Sequence, residues 1–597
     1  MRRRPIARSV AALVTVSFLA ACGGGGGGGA TPPSSGGGIG GSPSYYTCPS
    51  SDNTSSVGVG SPSGDESIAR HVPSRADSQQ EYAPELVSVF YRRAYASAEA
   101  SAIAGRESSL GVQNVHTLDF PSIGESAHVM AVDPSRLQSV MAGLRTAPGV
   151  VSISRVALRR PLSVTTPYFP DNPYFDGFAV TVAPTPGATA PPATNNDPPY
   201  YERNDVPGEW DAHATKLEDA FAYSQSGNGS GVANADALGS ASVVIAMIDT
   251  GQDTAHPELA GKIIRQRCYI TNPEGMQSIS NFTTDPQGHG TDTAGIAADA
   301  LGTGIGFAGA GGNVSLFGYR VFPTPDSYTN CSPGSNSNDL TCEATTADIA
   351  SAIDDAVGAG ANVISLSLGG GACSGGVDPD PTEGAAIQNA LSHDVIVVAA
   401  SGNGGANSVL APACDSGVIA VGATALDDGS PNGKGGGGNA GGTASKPVEY
   451  VASYSNYGAS CSVRSTSCWG IVAPGGDPAN DDDDDDLHWI ENIWPSDADL
   501  YSNQDDGNCE GDYPTDTGTS DCRILIAGTS MATPHVAGAA ALLLAVKPSL
   551  QSPSAMFAAL CDYADDLSDP HQGCGRLNVY TSMAHAVGDP SPPTPVP

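Results

Sequence analysis

Three short blocks in this chain of 597 residues carry a hydroxyl, an imidazole and a carboxylate in settings suited to acyl-transfer chemistry. Ser530 lies where Gly528-Thr529 meets an Ala-rich apolar stretch, Ala532 to Val546, that reads as a helix. At the amino end of a helix, exposed N–H groups favour the negative oxygen that develops when a hydroxyl adds to a carbonyl. Gly528 leaves room for a substrate backbone, and Pro534 is expected in the first turn, where no intrahelical N–H bond is needed. Taken alone, a serine in that place is a helix cap; the block around it turns it into a candidate nucleophile. His289 is flanked by Gly288 and Gly290 and followed by a further helical stretch, Thr291 to Ala298. Small flanks let an imidazole stand close to another backbone, where it can take a hydroxyl proton and return it to a leaving amine. Asp249 follows an apolar run, 243–248, so its carboxylate would be desolvated enough to orient an imidazole.

In chain order the blocks are Asp249-Thr250-Gly251, Gly288-His289-Gly290-Thr291 and Gly528 to Gly538. With Asp, His and Ser in that order they resemble the subtilisin-like serine proteases, the subtilase family; other folds assemble the same three groups in different orders. The resemblance implies a serine endopeptidase with Ser530 as nucleophile, His289 as base and Asp249 as the orienting carboxylate. Asn403, in Ala400-Ser401-Gly402-Asn403-Gly404, is similar to the family's oxyanion-hole asparagine. Ser367-Leu368-Gly369-Gly370 is similar to its substrate-binding edge, beside which a peptide would add as an extra strand. Gly402 and the small residues at 399–402 and 412–413 imply a roomy, uncharged pocket with a preference for apolar or aromatic side chains. His256 falls in a family-like segment, Asp253 to Glu258, but is not the base, and His535 is expected to be a packed helix residue. No HExxH pattern is present, which argues against a metalloprotease. Catalysis requires no cofactor on this reading. A calcium-ligand aspartate of the family aligns with Glu258, and structural calcium rests on that one residue, since the remaining ligands find no match.

The elements that must position these groups read as an α/β fold. Apolar runs at 243–248, 314–319, 363–368 and 395–399 suit buried strands, with helices at 347–357 and 383–392 between them. Near-continuous apolar strands alternating with helices argue a mostly parallel sheet covered on both faces, a three-layer arrangement with sites at the strands' carboxyl ends. The catalytic domain is assigned to 236–588. Before it, 86–160 alternates differently: a helix at 94–103, a strand at 127–132, a helix at 134–144 and a returning strand from Pro148. That pattern resembles the family's inhibitor-like propeptide, a small ferredoxin-like α/β domain that would be the enzyme's own inhibitor until cleaved. Residues 161–235 read as linker and the start of the mature region, with the maturation cut somewhere inside; 589–597 is a Pro-rich tail with no further module after it.

The chain begins as an export signal, 1–21, with Arg2 to Arg4 and the apolar Ala11 to Ala20. Leu19-Ala20-Ala21-Cys22 resembles a bacterial lipobox, implying a lipid on Cys22 that anchors the chain to a membrane; an ordinary cleavage near Ala21 is the alternative. Residues 22–80, rich in Gly, Ser and Pro, read as a tether. No later segment reads as having the eighteen or more apolar residues a membrane helix requires. Of thirteen cysteines, setting Cys22 aside leaves an even number, consistent with disulfides in an exported protein. Neighbour spacing suggests Cys331–Cys342, Cys373–Cys414, Cys461–Cys468, Cys509–Cys522 and Cys561–Cys574, leaving Cys48 with Cys268. Acidic residues outnumber basic ones 63 to 26, which excludes nucleic acid as a partner and points to protein and peptide substrates. Two stretches read as surface inserts: 427–447, and 476–522 with the run Asp481 to Asp486, either solvated or calcium-binding. Two other readings stand beside a broad protease: a narrow processing enzyme gated by the acidic insert, and a non-catalytic subtilase-fold binding protein.

Overall fold

The computed structural model describes residues 82–161, 210–224, 232–272, 275–281, 285–301, 307–323, 343–427, 448–476, 490–495, 522–590 and 592–593. The signal segment, Cys22, the tether, the loop 428–447 and the aspartate run lie outside them.

The first segment runs β1 (Tyr82–Arg92), α1 (Arg93–Ala98), α2 (Ala100–Ser109), β2 (Gln113–Phe120), β3 (Glu125–Ala131), α3 (Leu137–Arg145) and β4 (Val150–Pro161). Its strands pair antiparallel in the order β4-β1-β3-β2. Side chains alternate across a strand, so each face of β1 serves a different partner. Val87, Val89 and Tyr91 pack with Ile103 of α2 and with Leu137, Val140, Met141 and Leu144 of α3. Phe90, with Leu118, Phe120 and Ala127, joins a core shared with the second part of the chain. The helix expected over 94–103 is two helices that break at Glu99, and the one expected from Pro134 opens as a 3-10 turn, Pro134–Arg136.

Part of the expected linker is core: α4 (Trp210–Thr215) and α5 (Leu217–Phe221) bury Trp210, Ala214 and Phe221. Next come β5 (Val244–Asp249), β6 (Ile263–Thr271), β7 (Gln277–Ser280), α6 (His289–Ala298), β8 (Ser315–Arg320), β9 (Ala344–Thr345) and α7 (Thr346–Ala359). Then follow β10 (Val363–Leu366), β11 (Leu368–Gly369), α8 (Pro381–Ser392), β12 (Ile396–Ala400), β13 (Ile419–Asp427), β14 (Val448–Val451) and β15 (Ile471–Pro474). The chain closes with β16 (Ile490–Trp494), β17 (Cys522–Ile526), α9 (Thr529–Val546), α10 (Pro553–Cys561) and α11 (Val579–Val587). The large sheet has the order β14-β13-β12-β10-β5-β8-β6-β7, with β15 on β13. Its interior pairs are parallel, and β7 and β14 add antiparallel edges.

Every residue of β5 is buried because both faces are covered. Ile245 and Met247 face the side of α9 and α11, while Val244, Ala246 and Ile248 face the side of α7 and α8. Helix α9 is long and apolar enough to cross a membrane by composition, against the expectation that no such segment follows the signal; with 94% of it buried inside the fold, it is a core helix. The stretch 476–522 is also not loop throughout: β16 lies inside it and β17 begins at its end. β16 and β17 pair antiparallel, and Ile490, Ile493 and Trp494 are buried beneath α6.

Disulfides join Cys373–Cys414, Cys461–Cys468 and Cys561–Cys574, as their spacing suggested. Cys268 is also disulfide-bonded. Cys48, Cys331, Cys342 and Cys509 lie outside the described residues.

Candidate active site

Strand β5 delivers Asp249 as its last residue, buried at the carboxyl end of the parallel sheet. One carboxylate oxygen accepts the Thr250 N–H at 2.7 Å and faces His289 Nδ1 at 2.7 Å; the other accepts Thr293 Oγ1 at 3.3 Å. These bonds fix the carboxylate and, through it, the imidazole plane. His289 opens α6, and its Nε2 is buried with no hydrogen-bond partner among the described residues. Gly290 is required next to it, because a Cβ there would collide with the Gly251 carbonyl oxygen. Gly288 is required too: its φ is +88°, and a side chain would run into the Trp494 ring of β16.

The amino end of α6 is held by a residue the sequence reading passed over. Asp285 accepts Gly288 N–H at 2.8 Å, Thr291 N–H at 2.7 Å and the Thr250 and Thr291 hydroxyls at 2.8 and 2.6 Å. Thr250 Oγ1 in turn accepts Gly290 N–H at 2.8 Å, so one carboxylate ties the Asp249 turn to the His289 turn. Burial pushes the Asp285 carboxyl up to about 6 despite these donors. The signal was local, an acidic residue just ahead of a helix start.

Ser530 stands at the second position of α9, with Gly528 as the cap. Pro534 is not in the first turn as expected but sits inside the helix, where its missing N–H strips the Ser530 carbonyl of its i−4 partner. Ser367 supplies the replacement: its hydroxyl donates to Ser530 O at 2.8 Å. Ser530 Oγ donates back to the Ser367 carbonyl at 3.0 Å. No hydrogen bond joins the Ser530 hydroxyl to His289 Nε2 here; bonds between a hydroxyl and a neighbouring imidazole at such sites often tighten only with substrate in place.

Asn403 follows β12 and is tied to the serine's neighbour. Its Oδ1 accepts Thr529 N–H at 2.9 Å and Thr529 Oγ1 at 2.8 Å, which turns the Nδ2 amide away. That amide is buried without a hydrogen-bond partner among the described residues. Gly402 N–H donates to Thr529 Oγ1 at 3.3 Å. Leu368 and Gly369 form β11, and Gly370 donates from its N–H to Ala411 O at 2.9 Å. His535 is a packed helix residue, bonded to Met531 O and to Asp211 Oδ2, both at 2.8 Å.

Glu258 is buried in the short 3-10 turn Pro257–Leu259. No group of three or more His, Cys, Asp or Glu side chains able to hold a metal occurs among the described residues. A cation beside Glu258 and Asp299 is the half-buried Lys262 ammonium, pushed down to about 8 by desolvation against their opposing attraction.

With a hydroxyl, an oriented imidazole and an unspent amide donor gathered at the strand ends of a doubly covered sheet, the class of protein is that of the serine hydrolases. The family model described as the subtilase family matches residues 240–575, and the chain belongs to that family. It is a serine-type endopeptidase. Thermitase of Thermoactinomyces vulgaris is 30% identical over 343 residues, 57% of this chain and 88% of that protein. Subtilisin DY of Bacillus licheniformis is 30% identical over 344 residues, 57% and 90% of the two chains. The fold is also similar to that of fervidolysin from Fervidobacterium pennivorans, with a TM-score of 0.51 at 20% identity, covering 88% of this chain and 64% of that one.

Proposed function

We propose that the enzyme hydrolyses peptide bonds through a covalent acyl-enzyme on Ser530, with His289 as general base and acid and Asp249 as its orienting partner. One observation carries the reading: Asp249 holds His289 Nδ1 while Nε2 and the Asn403 Nδ2 amide stay buried and without partners among the described residues. Those are the two atoms that proton transfer and oxyanion stabilisation need. The Asn403 amide and the Ser530 N–H would share the oxyanion. Ser367 to Gly370, with Gly402, would hold substrate main chain to main chain, which favours broad specificity.

Residues 86–160 are read as an inhibitor-like propeptide. The strand order β4-β1-β3-β2 with helices on one face is the ferredoxin-like arrangement, and antiparallel pairing of β4 with β11 supports a blocking role. The catalytic domain assigned to 236–588 then also takes in α4 and α5, which pack in its core. Export is supported by the amino-terminal signal pattern and the disulfides, with Cys22 as the candidate lipid anchor. The test is labelling with a serine-reactive fluorophosphonate followed by peptide mapping. Adduct on Ser530 in wild type, and neither adduct nor peptidase activity in Ser530→Ala or His289→Ala, is expected; full activity in either variant would refute the assignment.

A further inference from the structure

Asn403 sits in a loop with little rigidity of its own. Glycines stand on both sides of it, and Gly402 has a φ of +113° and Gly405 of +58°, backbone that glycine adopts at no steric cost. Thr529 holds the Asn403 Oδ1, yet the direction of Nδ2 also depends on where the main chain of 402–406 runs.

That course is set by a segment far downstream. After β14 the chain is fastened to β13: Ala452 N–H donates to Ala423 O at 2.9 Å, and Ala423 N–H to Ser455 Oγ at 2.9 Å. Next comes Asn456, only 2% exposed. Its Oδ1 accepts Gly404 N–H and Ala406 N–H, both at 2.9 Å. Its own N–H donates to Gly402 O at 2.8 Å, and its carbonyl accepts Ser401 Oγ at 2.8 Å. These contacts fall on both sides of Asn403. A Cβ at Gly402 would stand 2.5 Å from Asn456 Nδ2, so this side chain and the loop fit closely. We infer that Asn456 is a positioning residue for the reaction, holding the loop so that the Asn403 amide meets the oxyanion. This rests on the reading of Asn403 as an oxyanion donor.

Such a donor must be in place before charge develops, and a misplacement of about 1 Å can cost about 10²-fold in rate. In Asn456→Ala the Gly404 and Ala406 N–H groups lose their acceptor. Gly404 is exposed and Ala406 half-buried, so both can turn to water. Main-chain bonds from Gly405 N–H to Tyr454 O at 2.6 Å and from Tyr457 N–H to Ala406 O at 3.0 Å remain. The loop therefore loosens around Asn403 without detaching.

The experiment is a double-substitution cycle read by hydrolysis of a fluorogenic peptide, with active enzyme counted by fluorophosphonate titration. Asn456→Ala should lower kcat by about 10- to 100-fold and leave KM within about twofold of wild type. In the Asn403→Ala background no amide remains to be placed, and the same change should lower kcat by less than about twofold. A merely structural role would give equal losses in both backgrounds. Should Asn456→Ala fail to fold, Ser401→Ala takes its place. It removes one bond of the same clamp and should cost about 3-fold in kcat, again only where Asn403 is present. An unchanged kcat, equal losses in both backgrounds, or a loss confined to KM overturns the positioning role while leaving Asn403 as donor. Asn403→Ala with kcat within about threefold of wild type overturns the reading of Asn403 and this inference with it.

Discussion

On the proposed mechanism Asn403 has two jobs on two atoms, and substitutions can separate them. Its Nδ2 is the free donor, whereas its Oδ1 accepts Thr529 N–H at 2.9 Å and Thr529 Oγ1 at 2.8 Å. In Asn403→Ala both are lost. Removing one oxyanion donor lowers kcat by about 10²–10³, or about 2.7–4 kcal/mol, a magnitude measured in subtilisin, a relative, and not worked from this structure. What this structure adds is the stability term. A buried Thr529 N–H left without an acceptor costs about 1–3 kcal/mol, while the Thr529 hydroxyl can turn to another partner. Asn403→Asp keeps an oxygen where Oδ1 was and removes the donor when ionised. Its kcat at pH 8 should fall at least as far as that of the alanine variant, with a smaller drop in unfolding midpoint. KM should stay near wild type in both, since the lost bond forms only in the transition state. The assay is steady-state hydrolysis of a fluorogenic peptide, with urea unfolding of the same samples. An alanine variant with kcat within threefold of wild type, or one altered only in KM, would refute the reasoning.

Three further outcomes follow from particular contacts. Ser367→Ala removes the hydroxyl that donates to the Ser530 carbonyl, which Pro534 already deprives of its helical partner; a loss of about 0.5–1.5 kcal/mol is expected in chemical denaturation, restored by Ser367→Thr. Replacing Cys373 and Cys414 by serine opens a crosslink spanning 41 residues, and chain-entropy arithmetic sets the loss at about 4 kcal/mol, measurable as a drop in urea midpoint without reductant. Asp292 is fully buried, and desolvation, then the negative charges of Asp299, Asp249, Asp285 and Asp211, raise its carboxyl well above the usual range. Its contribution to stability is complete below the unfolded carboxyl's titration, near pH 4, and is lost as pH rises toward the folded value. Asp292→Asn should therefore match wild type in Tm at pH 3 and exceed it at pH 8 in calorimetry; equal Tm at both would refute it.

How much could be read in advance depended on how local the cause was. The strands at 244–249, 315–320 and 396–400 lay within a residue of their apolar runs, because a doubly covered strand must be apolar throughout. β1 was less legible: Val87, Val89 and Tyr91 serve its own domain while Phe90 joins the core shared with the catalytic part, so it does not alternate against water. At the site, Asp249, His289, Ser530 and Asn403 stood out by their blocks, but the groups that hold them did not. Asp285 went unread although it stands just ahead of a helix start, because its partners are fixed only by the fold, and Trp494, which rules out any side chain at Gly288, lay in a stretch read as a surface insert. Pro534 was misread because its compensation comes from Ser367, 163 residues from the carbonyl it serves.

By itself, then, the sequence determined which chemical groups are present, their order, and the layered sheet that carries them, since all of these follow from short-range pattern and composition. Only the tertiary structure decided which atoms are spent and which stay free. Asn403 Oδ1 is consumed by Thr529 and His289 Nδ1 by Asp249, leaving Nδ2 and Nε2. It also decided where β4 meets β11, because strand register is set by bonds between residues about two hundred positions apart, which no local pattern encodes.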